Sequence, residues 1–328
     1  MIRIGLLTAI GALAGCQEYA YTAPPVVSIE PVAFDLDIAR VVDETAQHES
    51  WAKSDVLFVV DSSGSMEDDQ QSLITAFPAF MDYFLTLTEL DYHIGVIDTD
   101  WYLNAGRLRE TNGMRWVDRT VVDPVPMFQT LALVGILGSG DEMSQQNVWE
   151  ALETQRDDWN AGFLREDAFL SVIVISDEDD SSVLAGMTTD TFVSWLTGLK
   201  YEPGSVIYST VVGPVPDGCA TAVPGYVHVD TNQRIGGVDW SICDGRWEEL
   251  LAELAEASSG LKSEFFLTQQ PLIDSIVVYG VDGGQTVNYA LDTDYTFDPI
   301  RNSILFGTPP APAAKVYIEY DVDPGAQH

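Results

Sequence analysis

The chain has 328 residues, room for one large domain with a smaller one beside it, and 46% of them are hydrophobic, which supplies a sizeable core and excludes global disorder. Its 51 acids against 15 bases leave a formal charge of -36, a surface that repels nucleic acid and anionic headgroups and attracts cations. Solubility accounts for most of that acidity, so only acids gathered at loop tips are candidates for metal binding.

The first sixteen residues, MIRIGLLTAIGALAGC, place Arg3 before the apolar run Ile4 to Ala14, too short for a permanent bilayer crossing. The run ends in Leu13-Ala14-Gly15-Cys16, which resembles the lipobox of bacterial lipoproteins. That resemblance implies a signal peptide over residues 1–15, lipid on the Cys16 sulfur, and anchorage in the bacterial cell envelope, at the outer membrane or cell surface. No later segment reaches the ~18 uninterrupted apolar residues of a membrane span, so the lipid is the only membrane contact expected. Residues 16–50 carry Pro24, Pro25, Pro31 and scattered acids without sustained periodicity. They read as a tether, with one short strand near residues 26–29.

From Asp55 the pattern changes. Asp55-Val56-Leu57-Phe58-Val59-Val60-Asp61 is a continuous apolar run, as in a central parallel strand covered on both faces. A helix follows with Leu73, Phe77, Phe80, Met81 and Phe84 on one face and Glu67, Asp68 and Asp69 in its first turn. Pro78 inside it is expected to kink it. Further strands are expected at 92–97, 169–175, 205–212 and 263–267, and helices at 142–154, 189–199 and 247–258. Strand and helix alternate throughout, which predicts a doubly wound, mostly parallel α/β sheet over residues 51–268. From Gln269 the helical periodicity stops, and runs at 276–279, 286–289, 303–306 and 315–320 predict a small all-β part over 269–328. Three cysteines are present, and with Cys16 taken by lipid, Cys219 and Cys243 are left to pair in an oxidising compartment.

The chemistry-bearing motif is Asp61-Ser62-Ser63-Gly64-Ser65, directly after the first central strand. It fits Asp-x-Ser-x-Ser, and the run from Asp55 to Met66 resembles the metal-ion-dependent adhesion site of von Willebrand factor A domains. The resemblance covers about residues 51–267 and implies a Rossmann-like fold with a divalent cation at its crest. Independently of it, ligands in an open parallel sheet sit beyond the carboxyl ends of the strands, where strand order reverses. There Asp61 and Asp177 would face one crevice, and Ser63 and Ser65 would add neutral oxygens for Mg²⁺ (or Mn²⁺ or Ca²⁺). The resemblance also implies a hydroxyl from a second loop. By position that is Ser139 in Gly138-Ser139-Gly140, equally readable as a helix N-cap. Asp179 and Asp180 compete with Asp177 on the same loop, and Asp98, Thr99 and Asp100 are candidate outer groups.

An ion held by two carboxylates and hydroxyls stays under-neutralised and attracts a carboxylate from a protein partner, which is binding and not turnover. No catalytic residue is assigned: there is no phosphate loop, GxSxG elbow or HExxH. His93 begins a strand and reads as structural. Asp292-Thr293-Asp294 fails as a calcium loop because Phe297 stands where glycine is needed. The alternatives are a metal-dependent hydrolase using the acidic crest, and a structural lipoprotein whose metal site is non-functional.

Overall fold

A computed structural model describes residues 39–46, 53–88, 90–201, 204–282, 284–311 and 314–322. The signal-like segment, Cys16 and the strand expected at 26–29 lie outside the described residues.

The described chain opens with strands β1 (Ala39–Ala46) and β2 (Lys53–Val60), then helix α1 (Glu67–Thr86) and β3 (Asp91–Asp98). The short α2 (Trp101–Asn104), β4 (Trp116–Val117), α3 (Pro124–Ala132) and α4 (Ser144–Trp149) lead to β5 (Phe169–Ile175). Next come α5 (Thr189–Gly198), β6 (Val206–Val212), α6 (Tyr226–Ile235), β7 (Asp239–Ser241) and α7 (Trp247–Ser258). Short strands close the chain: β8 (Glu264–Phe266), β9 (Val277–Asp282), β10 (Gln285–Tyr289), β11 (Tyr295–Asp298), β12 (Ser303–Phe306) and β13 (Lys315–Val322).

The central sheet has the order β4-β3-β2-β5-β6-β7, with only β4 antiparallel. From β2 the chain first adds β3 on one side; later it adds β5, β6 and β7 on the other. Strand order therefore reverses between β2 and β5, the switch point of a doubly wound sheet. Both faces are covered, as the unbroken apolar runs require. On β2, Val56, Phe58 and Val60 enter one core with α1, α3 and α7, while Leu57 and Val59 enter a second core with α4 and α5. The Phe58 ring packs edge-on against Phe80 and Phe128 at centroid separations of 5.4 and 4.9 Å.

Pro78, expected to kink α1, lies within one continuous helix. Its missing N–H frees the Ile74 carbonyl, which accepts instead from Gln129 Nε2 of α3 at 2.8 Å. The helix expected at 142–154 begins at Ser144 and widens into a π-type turn over Glu150–Thr154.

Two expectations about the β-rich end need correction. The strand expected to finish the α/β sheet, β8, pairs with β12 in a separate three-stranded sheet of order β11-β12-β8. The stretch read as tether contains β1, which pairs along its full length with β13 in a four-stranded sheet of order β1-β13-β9-β10. The two sheets share one core, with Phe265, Ile304 and Phe306 from one and Val316, Ile318 and Tyr320 from the other. Buried Asp43 of β1 accepts from Thr268 N at 2.9 Å and Tyr320 Oη at 2.7 Å, which ties the strand into place. The physical reason is pairing: an eight-residue β13 with an open edge gains a complete ladder from β1, whereas the central sheet already ends at β7.

Cys219 and Cys243 form the expected disulfide, 24 residues apart, enclosing α6 and β7. Chain-entropy reasoning gives the closed loop about 3 kcal/mol of stability. Reduction, or the Cys219→Ser/Cys243→Ser pair, should lower the urea midpoint by a corresponding amount. An unchanged midpoint would show that the bridge contributes nothing to stability.

Candidate metal centre

The register of β2 on β5 sets the site. Val60 pairs with Ile175, so the next residues, Asp61 and Ser176, stand side by side at the switch point. Ser176 Oγ donates to Asp61 Oδ2 at 2.5 Å, and Ser63 N donates to Asp61 Oδ1 at 2.7 Å. Asp177 follows on β5's outgoing loop. Both carboxylates are withdrawn from water, at 0% and 4% exposure. The Ser63 and Ser65 hydroxyls lie 3.1 Å apart. Asp177 Oδ1 is buried and has no hydrogen-bond partner. Burial raises the Asp177 carboxyl above the usual range against a lowering hydrogen bond from Ser65, and the Asp61 charge adds to the rise.

The competing acids of that loop have other work. Asp179 Oδ1 accepts from Val227 N, in the first turn of α6, at 2.9 Å. Asp180 accepts from Gln145 N of α4 at 3.0 Å and from Ser182 N and Oγ, each at 2.9 Å. They hold helix N-termini and loop turns, while Asp177 alone of the three keeps a buried free oxygen.

The second loop, residues 133–143, folds over the serine turn. Gly138 N donates to Ser62 O at 2.9 Å, and Gln70 Nε2 reaches both Asp61 O and Gly135 O at 2.8 Å. Ser139 turns elsewhere: its N–H donates to Asp100 Oδ2 at 3.1 Å and its hydroxyl accepts from Asp141 N at 3.0 Å. That is a turn within the loop, and α4 starts five residues later. The group this loop presents toward Asp61 is Glu142, 1% exposed, which accepts from Thr99 Oγ1 and leaves Oε1 unpartnered. Burial, with the charges of Asp61 and Glu178 behind it, pushes the Glu142 carboxyl well above the usual carboxylate range. Asp69, in the first turn of α1, is pushed up to about 6 by burial and by the charges of Asp177, Asp68 and Asp61. Asp98 is pushed up to about 6 chiefly by burial. Asp100 Oδ1 caps α2 by accepting from Leu103 N at 3.1 Å.

Gln70, Glu142 and Asp69 were not singled out from sequence as parts of the site. Asp69 appears there only as an acid in a helix's first turn, position 142 only as the start of an expected helix, and Gln70 carries no signal at all. Their roles follow from tertiary approach.

The donor set consists of hard oxygens: two carboxylates from neighbouring strand ends, one of which, Asp177, keeps a buried oxygen free, and two hydroxyls of one turn. Such a set fits a hard divalent cation. Among the described residues, no group of three or more His, Cys, Asp or Glu side chains is placed to hold a metal ion. A centre here depends on the serine oxygens and on water to complete its shell.

No family model matches the chain, and no curated protein matches it. Solved structures align with it at low identity. A von Willebrand factor type A protein from Catenulispora acidiphila aligns at 12% identity over 88% of this chain and 66% of that one, with a TM-score of 0.41. Proximal thread matrix protein 1 from the mussel byssus aligns at 12% over 70% and 52%, with a TM-score of 0.42. The pilus adhesin SpaC from Lactobacillus rhamnosus GG aligns at 13% over 87% and 40%, with a TM-score of 0.40. The chain spans between 40% and 66% of the length of these three proteins. At such scores the fold assignment rests on strand order and register.

The closeness of the two crest loops yields a contrast at two glycines. A Cβ on Gly138 would stand 2.1 Å from Ser62 Oγ and 2.9 Å from Ser62 O, whereas one on Gly140 meets nothing within 4 Å. Gly138→Ala should therefore push the loops apart and destabilise the fold by about 1–3 kcal/mol, with Gly140→Ala close to neutral. Thermal unfolding of the two variants checks this, and equal melting temperatures would contradict the packing described.

Proposed function

We propose that the chain is a divalent-metal-dependent protein-binding module of the bacterial cell envelope, with Asp61, Ser63, Ser65 and Asp177 as its metal ligands. The observation that carries this reading is the buried, unpartnered Oδ1 of Asp177 beside Asp61 at the sheet's switch point. A buried carboxylate oxygen without a donor costs free energy unless a cation approaches it. Bound there, Mg²⁺ (or Mn²⁺ or Ca²⁺) supplies a hard positive centre able to hold a partner's carboxylate oxygen. Ser139 enters the ligand set only if its loop turns, because its hydroxyl is committed to Asp141 N.

Binding rather than turnover is the reading favoured by the position of the histidines. Of the two described, His93 stands near the start of β3, at the opposite end of the sheet, with Nδ1 3.0 Å from Phe163 O. His228 is fully buried, shares a hydrogen bond with Tyr208 Oη at 2.9 Å, and burial lowers its pKa to about 4. His93 is thus remote from the crest, and His228, although near enough to feel the charges of Asp179 and Asp61, is closed off from solvent by burial. No helix among the described residues is long and apolar enough to cross a membrane. Envelope anchorage is assigned to lipid on Cys16. Mass spectrometry of the membrane-extracted protein should find an acylated Cys16 as the first residue, and an unmodified N-terminus upstream of it would end that assignment.

The metal has a direct test. Its ligands come from two strand ends brought together by folding, so an ion bound to the native state alone stabilises it by about 2.7 kcal/mol at a hundredfold excess over its Kd. Millimolar Mg²⁺ or Mn²⁺ should raise the melting temperature, and Asp61→Ala or Asp177→Ala should remove the increment. NaCl at matched ionic strength controls for screening of the overall charge. If wild type and variants respond alike to Mg²⁺ and to NaCl, the chain has no specific site.

A further inference from the structure

The crest carries an electrostatic and apolar pattern that the metal ligands do not explain. The loops over residues 61–66, 133–143, 176–187 and 213–226 contain eight acids, Asp61, Asp141, Glu142, Asp177, Glu178, Asp179, Asp180 and Asp217, and no Lys, Arg or His. The loops form one surface. Gly138 N bonds Ser62 O, Ser181 N bonds Glu142 O, and Val223 N bonds Asp177 O, at 2.9, 2.7 and 2.9 Å. Ser139 N joins the neighbouring β3–α2 turn to it through Asp100. Standing out from the same loops are the large apolar side chains Leu137, Val183, Leu184, Val223 and Tyr226, with Leu103 on the neighbouring α2. Leu137 is 93% exposed, Leu103 75% and Leu184 66%. Exposed apolar groups surrounding a polar centre mark an interaction surface.

We propose that the partner of this crest is a cationic, apolar protein segment in which the metal-binding carboxylate is isolated among Lys or Arg and aliphatic side chains. The assignment rests on the metal reading above and adds the chemistry of the partner to it. Charge complementarity carries the choice. A divalent cation offsets two of the eight acids, so the field over the loops remains negative with the site filled. Arg109 lies off these loops and is 3.9 Å from Asp98. A partner dense in carboxylates would be repelled even where one of them reached the ion, whereas a basic segment is steered in and held. The apolar side chains, already in water, gain by burial against aliphatic groups of that segment.

Two short fluorescent peptides of equal length test this on the full chain in Mg²⁺ at physiological salt. Each has one central Asp and the same Leu content; one carries Lys and the other Glu at the remaining positions. The Lys peptide should bind at least about tenfold more tightly. Leu137→Ser combined with Leu184→Ser should weaken it about fivefold or more, leaving the melting temperature and its Mg²⁺ increment unaltered. Ile300→Ser, at a 94% exposed position between β11 and β12, should change nothing. Equal binding of the two peptides, or Lys-peptide binding indifferent to the leucine pair, overturns the partner assignment while the Mg²⁺ increment stands. A missing increment overturns the metal reading and this one with it.

Discussion

Two carboxylates, Asp61 and Asp177, are held out of water at the ends of adjacent strands, on loops that contain no Lys or Arg to separate them. The Asp61 charge adds to the cost of ionising buried Asp177, and the surroundings are arranged around that constraint. Asp61 is satisfied through Ser176 Oγ and Ser63 N, and Gln70 ties its carbonyl to the second loop. Glu142 meets the same field from the other side, and its carboxyl is pushed well above the usual range. The crest is therefore a preorganised, hydrogen-bonded cup with an excess of acceptor oxygens.

The α/β part was legible because its signals are strong and local. A strand buried on both faces must be apolar at every position, and the runs at β2 and β5 leave no other reading. The elements that escaped are those whose burial is polar or whose form is brief. Helix α6 turns His228, Thr231 and Asn232 inward, each in a hydrogen bond, so no apolar stripe betrays it. Helix α3 opens on Pro124-Val125-Pro126, which reads as a breaker although proline suits a first turn. β7 has three residues and is defined only by its ladder to β6. For β8, strand character was legible but sheet membership was not, because pairing partners are a tertiary fact.

The site divides along the same line. Asp61, Ser63 and Ser65 lie within five residues after a strand, so their contiguity places them together before any fold is known. Asp177 could be inferred only through the topology rule for parallel sheets, and its preference over Asp179 and Asp180 required seeing the helices those two acids cap. Ser139 shows the limit of positional reasoning. The loop does close over the serine turn, but Asp100 and Asp141 claim the serine's polar atoms, and Glu142 is the side chain nearest Asp61's field.

The β-sandwich also bears on how the crest is presented. The chain enters the α/β part at β2, whose Ser54 Oγ donates to Ser258 O at 2.5 Å, and leaves it past Gly260, packed on Phe169 at the start of β5. Both connections to the sandwich thus meet the sheet at the starting ends of β2 and β5. The crest lies at their finishing ends, about 25 Å away for strands of this length. β1 and β13, which bracket the α/β part in sequence, pair with each other along their full length. The crest loops carry none of the chain's connections to the β-sheets formed by β1 and β8–β13. Their conformation is set by their own hydrogen bonds and by whatever charge occupies the space between Asp61 and Asp177.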